Sequence, residues 1–307
     1  MTVSAPVAAG LGGADWEVDF YSRPVLEADG RKRWDLLICA TPPVPLGQGE
    51  GKGEGQGSPF RFEKRCAASS VNSQWLREAL AEALEAAAGQ DQPRPRRVRC
   101  WRGSMRPMVQ RAAEALGLVV VPSRRCYSLI DWLRERERVL YPAEEGYMAG
   151  PLAPAPQPQR PIAAPWPEVA RGDRWGWATL SAEALREAPE WSIGFGGLLP
   201  VPEGLNPGTA VPGLRLFSRQ RALALAGWLT GLEPVRLEVD EGQLVLEAGL
   251  DDRWRLATLS PTEAAAAREA FARARQEAAG LQFLAVQTGE DDTHFEGFWM
   301  LRDLPDG

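Results

Sequence analysis

The chain of 307 residues contains a single histidine, His294. One imidazole excludes a multi-histidine metal site within the chain and makes His-centred catalysis a poor starting point. No apolar run approaches the ~20 residues that a membrane-crossing helix needs. The four cysteines, Cys39, Cys66, Cys100 and Cys126, form no CxxC pair, and their spacings fit no zinc pattern. They are expected as reduced thiols at strand ends. The GxxxxGK[ST] phosphate loop is absent. The stretch GFGGLLPVPEG at 194–204 lacks the strand–GxGxxG–helix setting and reads as a loop. Residues 1–14 have neither the basic n-region of a signal peptide nor the arginines of a transit peptide, and read as a disordered tail on a cytoplasmic protein. No motif asks for a cofactor or a metal.

What is present is enough for two packed domains: 44% apolar residues, 25% charged, and twelve tryptophans. Residues 42–59, PPVPLGQGEGKGEGQGSP, are too rich in Gly, Pro and polar residues to pack and read as a flexible loop. Residues 143–172 read as a stiff linker, densest in proline and alanine between 150 and 167. They separate an N-terminal domain, 15–142, from a C-terminal one, 173–304.

The N-terminal domain reads as βββαβαβα. WEVDFYSRPVL and RKRWDLLICA are strands joined by the turn EADGRK, and FRFEKRC is a third strand. Asn72 is placed to cap a helix over NSQWLREALAEALEAA, with Trp75, Leu76, Ala79, Leu80, Ala83 and Leu84 on one face. RVRCW, MRPMVQRAAEALG, LVVVP and YSLIDWLRERERVLY follow as strand, helix, buried parallel strand and helix. The pattern fits a ribonuclease H-like mixed sheet in the order 3-2-1-4-5, with a ferredoxin-like arrangement as the alternative if the third strand is only a loop. The C-terminal domain reads as a second α+β unit. It has a hairpin around Asp240-Glu241-Gly242 and a long helix from Pro261 to Gly280, with strands at QFLAVQ and FEGFWMLR. Trp228, Trp254 and Trp299 are expected in its core.

Although the chain carries a net charge of −6, residues 94–125 hold nine arginines against one acid, Glu114. That stretch is +8 and the remainder −14. In a parallel sheet, ligands bind beyond the carboxyl ends of the strands. The expected order brings Tyr21 and Arg23, Trp101 and Arg102, and Arg124 and Arg125 to one sheet edge, with Arg99 and Arg106 beside them. Helix N-termini after Ser104 and Cys126 add their positive dipole ends. Guanidinium forks and aromatic faces suit a single-stranded RNA. A metal-dependent nuclease would need several carboxylates at this edge. Asp19 is available, with Glu78 or Glu82 on the first helix, but the fourth strand ends in Trp101-Arg102, where a cation repels a metal. Asp19 is expected to pair with an arginine. Glu247, Asp251 and Asp252 read as salt-bridged acids around a turn, and His294 supports no functional assignment.

Across most of its length the chain resembles the Tab-two/Atab-two family of cyanobacteria and plastids. The matching stretches are WEVDFYSRPVLEADGRKRWDLLIC, VNSQWL, RCWRGSMRPM, PSRRCYSLIDWLRERERVLYP, LEAGLDDRWRLATL, GLQFLAVQ and FEGFWMLRD. The resemblance implies a non-catalytic RNA-binding protein of oxygenic phototrophs. It would be tied to translation of a photosystem I message and to photosystem assembly, with a preference for A/U-rich single-stranded RNA. Implied partners are that RNA and translation or assembly factors, without membrane insertion. A photosystem assembly factor that makes no RNA contact is the second reading.

Overall fold

The computed structural model describes residues 15–41, 60–149 and 161–303. The expected tail, the Gly-rich loop 42–59 and the linker segment 150–160 lie outside the described residues. The chain is α+β, and its described residues divide into two compact units, one of 15–41 with 60–149 and one of 161–303.

The first unit runs β1 (Trp16–Leu26), β2 (Lys32–Ala40), β3 (Arg61–Cys66), α1 (Ser73–Ala88), β4 (Arg97–Cys100), α2 (Arg106–Glu114), β5 (Val119–Pro122) and α3 (Tyr127–Glu135). Its sheet has the order β3-β2-β1-β4-β5, as the element pattern led us to expect. β2 is antiparallel to β1 and β3, while β4 is parallel to β1 and β5. Strand alternation separates the two faces. Trp16, Val18 and Phe20 of β1 join Leu36 and Ile38 of β2 in the core beneath α1 and α2. Leu37 and Cys39 face the other way, against Leu129, Ile130, Trp132 and Leu133 of α3. Asn72 caps α1 by accepting the amides of Gln74 and Trp75. Past Glu135 the helix loosens into a π turn over Arg136–Leu140 and a 3-10 turn over Tyr141–Ala143. β5 corrects the sequence reading. It is not buried: Val119 is 60% exposed, because β5 is the edge of the sheet with only β4 beside it.

The second unit holds two sheets. β6 (Ala164–Pro165) is followed by β7 (Arg174–Ser181), α4 (Ala182–Glu187), β8 (Ile193–Gly197), β9 (Ala210–Phe217) and α5 (Ala222–Leu232). Then come β10 (Pro234–Asp240), β11 (Gln243–Ala248), β12 (Asp252–Thr258), α6 (Pro261–Glu277), β13 (Leu281–Gln287) and β14 (Phe295–Arg302). The sheets are ordered β10-β11-β12-β6 and β7-β9-β13-β14-β8. β8 is the second correction. The stretch read as a Gly-rich loop begins inside a strand parallel to β14. A side chain at Gly196 would collide with the Phe298 carbonyl oxygen, so this close pairing demands glycine. Trp299 is buried as expected, and Trp228 and Trp254 pack half-buried against the same core. The acid-bearing hairpin is ionic on one face: Glu247 is buried between Arg236 at 3.0 Å and Arg253 at 3.6 Å.

All four cysteines are free and buried. Burial pushes the thiols of Cys66 and Cys100 up to about 11 and about 12, so neither is a thiolate at neutral pH.

Candidate nucleic-acid interface

The alternation that sends Trp16, Val18 and Phe20 to one core sends Glu17 and Asp19 to the α3 side of the sheet. A carboxylate buried there needs donors. Asp19 finds three. Its Oδ2 accepts from Arg23 Nη1 at 2.9 Å. Its Oδ1 accepts from Trp101 Nε1 at 3.0 Å and from Arg102 Nε at 2.6 Å. Burial pushes the Asp19 carboxyl up, but Arg23 and Arg102 outweigh it and hold the group below the usual carboxylate range. The Arg102 guanidinium also lies 4.1 Å from the centre of the Tyr21 ring and 4.5 Å from that of Trp101. The structure thus brings Tyr21 and Arg23, within β1, together with Trp101 and Arg102, just past the end of β4.

Asp35, opposite Tyr21 on β2, makes a second centre. It accepts the Tyr141 hydroxyl at 3.2 Å. The guanidinium groups of Arg33, Arg136 and Arg23 approach it at 3.4, 3.5 and 3.7 Å. At the rim, Glu63 pairs with Arg136, and Glu144 pairs with Arg33 at 2.9 Å and Arg65 at 2.8 Å. Four arginines therefore share two fully buried carboxylates. Arg33 and Arg136 were missed by the sequence reading. The available signal was Asp35 itself, a lone acid in the apolar strand RWDLLIC that had to meet a cation.

Arg99 lies one strand over from Glu17, 2.9 Å from Asp15, and donates to Thr41 Oγ1 at 3.4 Å. Arg124 and Arg125 sit in the loop before α3. The Arg125 amide donates to Ser123 Oγ at 3.0 Å, and its guanidinium lies 5.5 Å from the Tyr127 ring centre. Glu17 holds the start of α3. Its Oε2 accepts the Leu129 amide at 2.8 Å, and its Oε1 accepts the Thr41 hydroxyl at 3.0 Å. Burial raises its carboxyl to about 7, against the opposing pull of the Leu129 amide, Arg99 and Thr41.

Exposure divides the eight candidates. Arg23, Arg99, Trp101, Arg102, Arg124 and Arg125 are each less than a tenth exposed. Tyr21 is half-buried, and Arg106, in the first turn of α2, is exposed. The expected solvent-facing row of guanidinium groups is, in this conformation, largely a layer beneath the surface. The reason is that α3 covers this side of the sheet and that Asp15, Asp19 and Asp35 draw the cations inward. From the same stretch Arg94, Arg96, Arg106 and Arg111 reach solvent.

Two family models match the chain, each named for the RNA-binding protein Tab2/Atab2: its N-terminal domain over residues 15–136 and its C-terminal domain over 153–302. The chain belongs to the Tab2/Atab2 family. The relatives include the chloroplastic TAB2 homologue of Zea mays, 36% identical over 300 residues that cover 95% of this chain and 72% of the relative. The chloroplastic TAB2 homologue of Arabidopsis thaliana is 31% identical, with 95% and 75% covered. The match to the Tab2/Atab2 N-terminal domain takes in all eight candidate residues, and also Arg33, Asp35 and Arg136. Tyr141 and Glu144 of the Asp35 centre fall beyond it.

Proposed function

We propose that this chain is a non-catalytic RNA-binding protein that supports translation and assembly of photosystem proteins in a cyanobacterial cytoplasm. Its ligand would be A/U-rich single-stranded RNA. The observation that carries this reading is the gathering of four arginines on two buried carboxylates of β1 and β2, beside the end of β4, in a family described as RNA-binding. A cation excess set in a low-dielectric layer projects positive potential outward. Arg106, at the start of α2 just beyond the end of β4, then meets phosphates at the surface, and Tyr21 offers a ring to a base. Arg23, Arg99, Trp101, Arg102, Arg124 and Arg125 shape and charge the surface from below.

The test is fluorescence anisotropy of a labelled A/U-rich single-stranded RNA at two salt concentrations with magnesium present. The expected result is tight, salt-sensitive binding to RNA that stays intact. Arg106→Glu should weaken it and flatten the salt slope by about 0.7 per lost phosphate contact. No binding at either salt overturns the reading. Cleavage of the RNA would instead favour the nuclease reading, against which stand the three donors already seated on Asp19.

The acidic second unit favours a protein-docking alternative. It carries 13 arginines and no lysine against 21 acids. Partners captured from a cyanobacterial lysate that survive ribonuclease would support assembly without RNA contact; partners that vanish would support RNA.

A further inference from the structure

Cys126, the residue at the cap position of α3, makes no side-chain hydrogen bond to the helix's first turn. The cap comes from Glu17, 112 positions earlier, through the Leu129 amide. Glu17 is 1% exposed. Its neighbours across the sheet are Cys39 on β2 and Arg99 on β4. The Cys39 thiol lies 3.9 Å from Oε2. Thr41, just past β2, links the two charges: its hydroxyl donates to Glu17 and accepts from Arg99. From the start of α3, Cys126 and the backbone amides of Ser128 and Leu129 face the carboxyl group. Asp15 and Asp19 flank it along the same side of β1, and Arg61 and Asp131 act on the adjoining Cys39.

Building on the RNA-binding reading, we propose that Glu17 is a positioning residue that sets the charge of the arginine-rich side of the sheet. Ionised, it caps α3 and offsets the cation on Arg99. Protonated, it still accepts the Leu129 amide through its carbonyl oxygen, and the surface becomes one unit more positive. Burial, which raises the carboxyl group to about 7, brings this exchange into the neutral range. The chain's one histidine, His294, belongs to the second unit, so no imidazole of the first unit competes for that assignment. Glu137, raised by burial against the pull of Arg23, Arg102 and Arg134, supplies a control.

The experiment has two arms on the full chain. In the first, the Leu129 amide resonance is followed from pH 5.5 to 8.5. A transition near neutrality is expected, absent in Glu17→Gln and kept in Glu137→Gln. A Gln oxygen can still cap the helix, so this variant alters charge more than geometry. Should it fail to fold, Thr41→Val replaces it: loss of that hydroxyl donor should move the wild-type midpoint upward. A Leu129 amide with no transition, or one that persists in Glu17→Gln, overturns the proposal.

In the second arm, affinity for the A/U-rich RNA is measured at pH 6 and pH 8 in low salt. Binding about threefold tighter at pH 6 is expected, with the difference shrinking as salt screens it. Glu17→Gln should bind at both pH values as the wild type does at pH 6. Equal wild-type binding at both pH values overturns the proposal and leaves the RNA reading standing. No binding at either pH overturns the RNA reading, and with it the role given to Glu17, while the Leu129 amide still reports whether Glu17 changes charge.

Discussion

The two units use arginine in opposite ways. Around Asp19 and Asp35 in the first, four guanidinium groups crowd onto two buried carboxylates, and further acids join only at the rim. On the hairpin face of the second, Arg236 and Arg253 are interleaved with Glu238, Asp240 and Glu247, so that two cations meet three acids. Whole-unit charge follows the same division. Residues 15–149 carry 21 Arg and Lys against 19 acids, and residues 161–303 carry 13 against 21. The interleaved lattice leaves no cation excess and reads as architecture. The crowded one retains positive potential, which suits a surface that must attract a polyanion.

If that contrast is right, removing the hub should hurt most where the cations are crowded. Asp19→Ala strands the Arg102 guanidinium and the Trp101 indole N–H in a buried site and leaves Arg23 only its longer contacts to Asp35, and urea unfolding should show a loss of about 3–5 kcal/mol. Glu17→Gln should act in the other direction. Folding raises the Glu17 carboxyl from its ordinary 4.5 to about 7, so the folded chain binds this proton more readily than the unfolded chain. Its contribution to stability is full below 4.5 and falls as pH rises through 7. The variant should therefore be more stable than the wild type by about 3 kcal/mol at pH 8, with the gap closing in acid, as thermal melts across pH would record.

Glu247→Ala should cost less than Asp19→Ala, roughly 1–3 kcal/mol. Glu238 stays within reach of both Arg236 and Arg253, and Asp240 within reach of Arg253. A loss equal to that of Asp19→Ala would break the contrast. The smallest effects should come from the helix caps, where the units do not differ. Asn72→Ala and Ser260→Ala should each lose about 1 kcal/mol by the same measurement, because capping is a local exchange of hydrogen bonds.

Much of the frame was legible because it depends on local signals. Asn72 announced α1, Pro261 announced α6, and the βββαβαβα succession led to the strand order of the first sheet. β5 was misjudged because LVVVP looks the same at an edge as at the centre; only the count of neighbouring strands tells them apart. β8 was hidden because its glycines, which usually signal a loop, answer to the Phe298 carbonyl oxygen of another strand. At the candidate site, the meeting of Tyr21, Arg23, Trp101 and Arg102 followed from the expected sheet order. Their burial did not, because it depends on α3 lying over the carboxylate-bearing face. Glu17 carried no signal of its own: an acid in an alternating strand looks solvated until a helix is seen to cover it.

The hydrogen bond from Leu129 to Glu17 also bears on the order in which the chain assembles. A helix that caps itself can nucleate alone, whereas the first turn of α3 waits for a strand more than a hundred residues away. Closing so long a loop is slow. α3 should therefore dock late, after β1 and β2 have paired, and be the first element to lift away. Changes at Glu17 would then register in the rate of unfolding and leave the rate of folding nearly untouched.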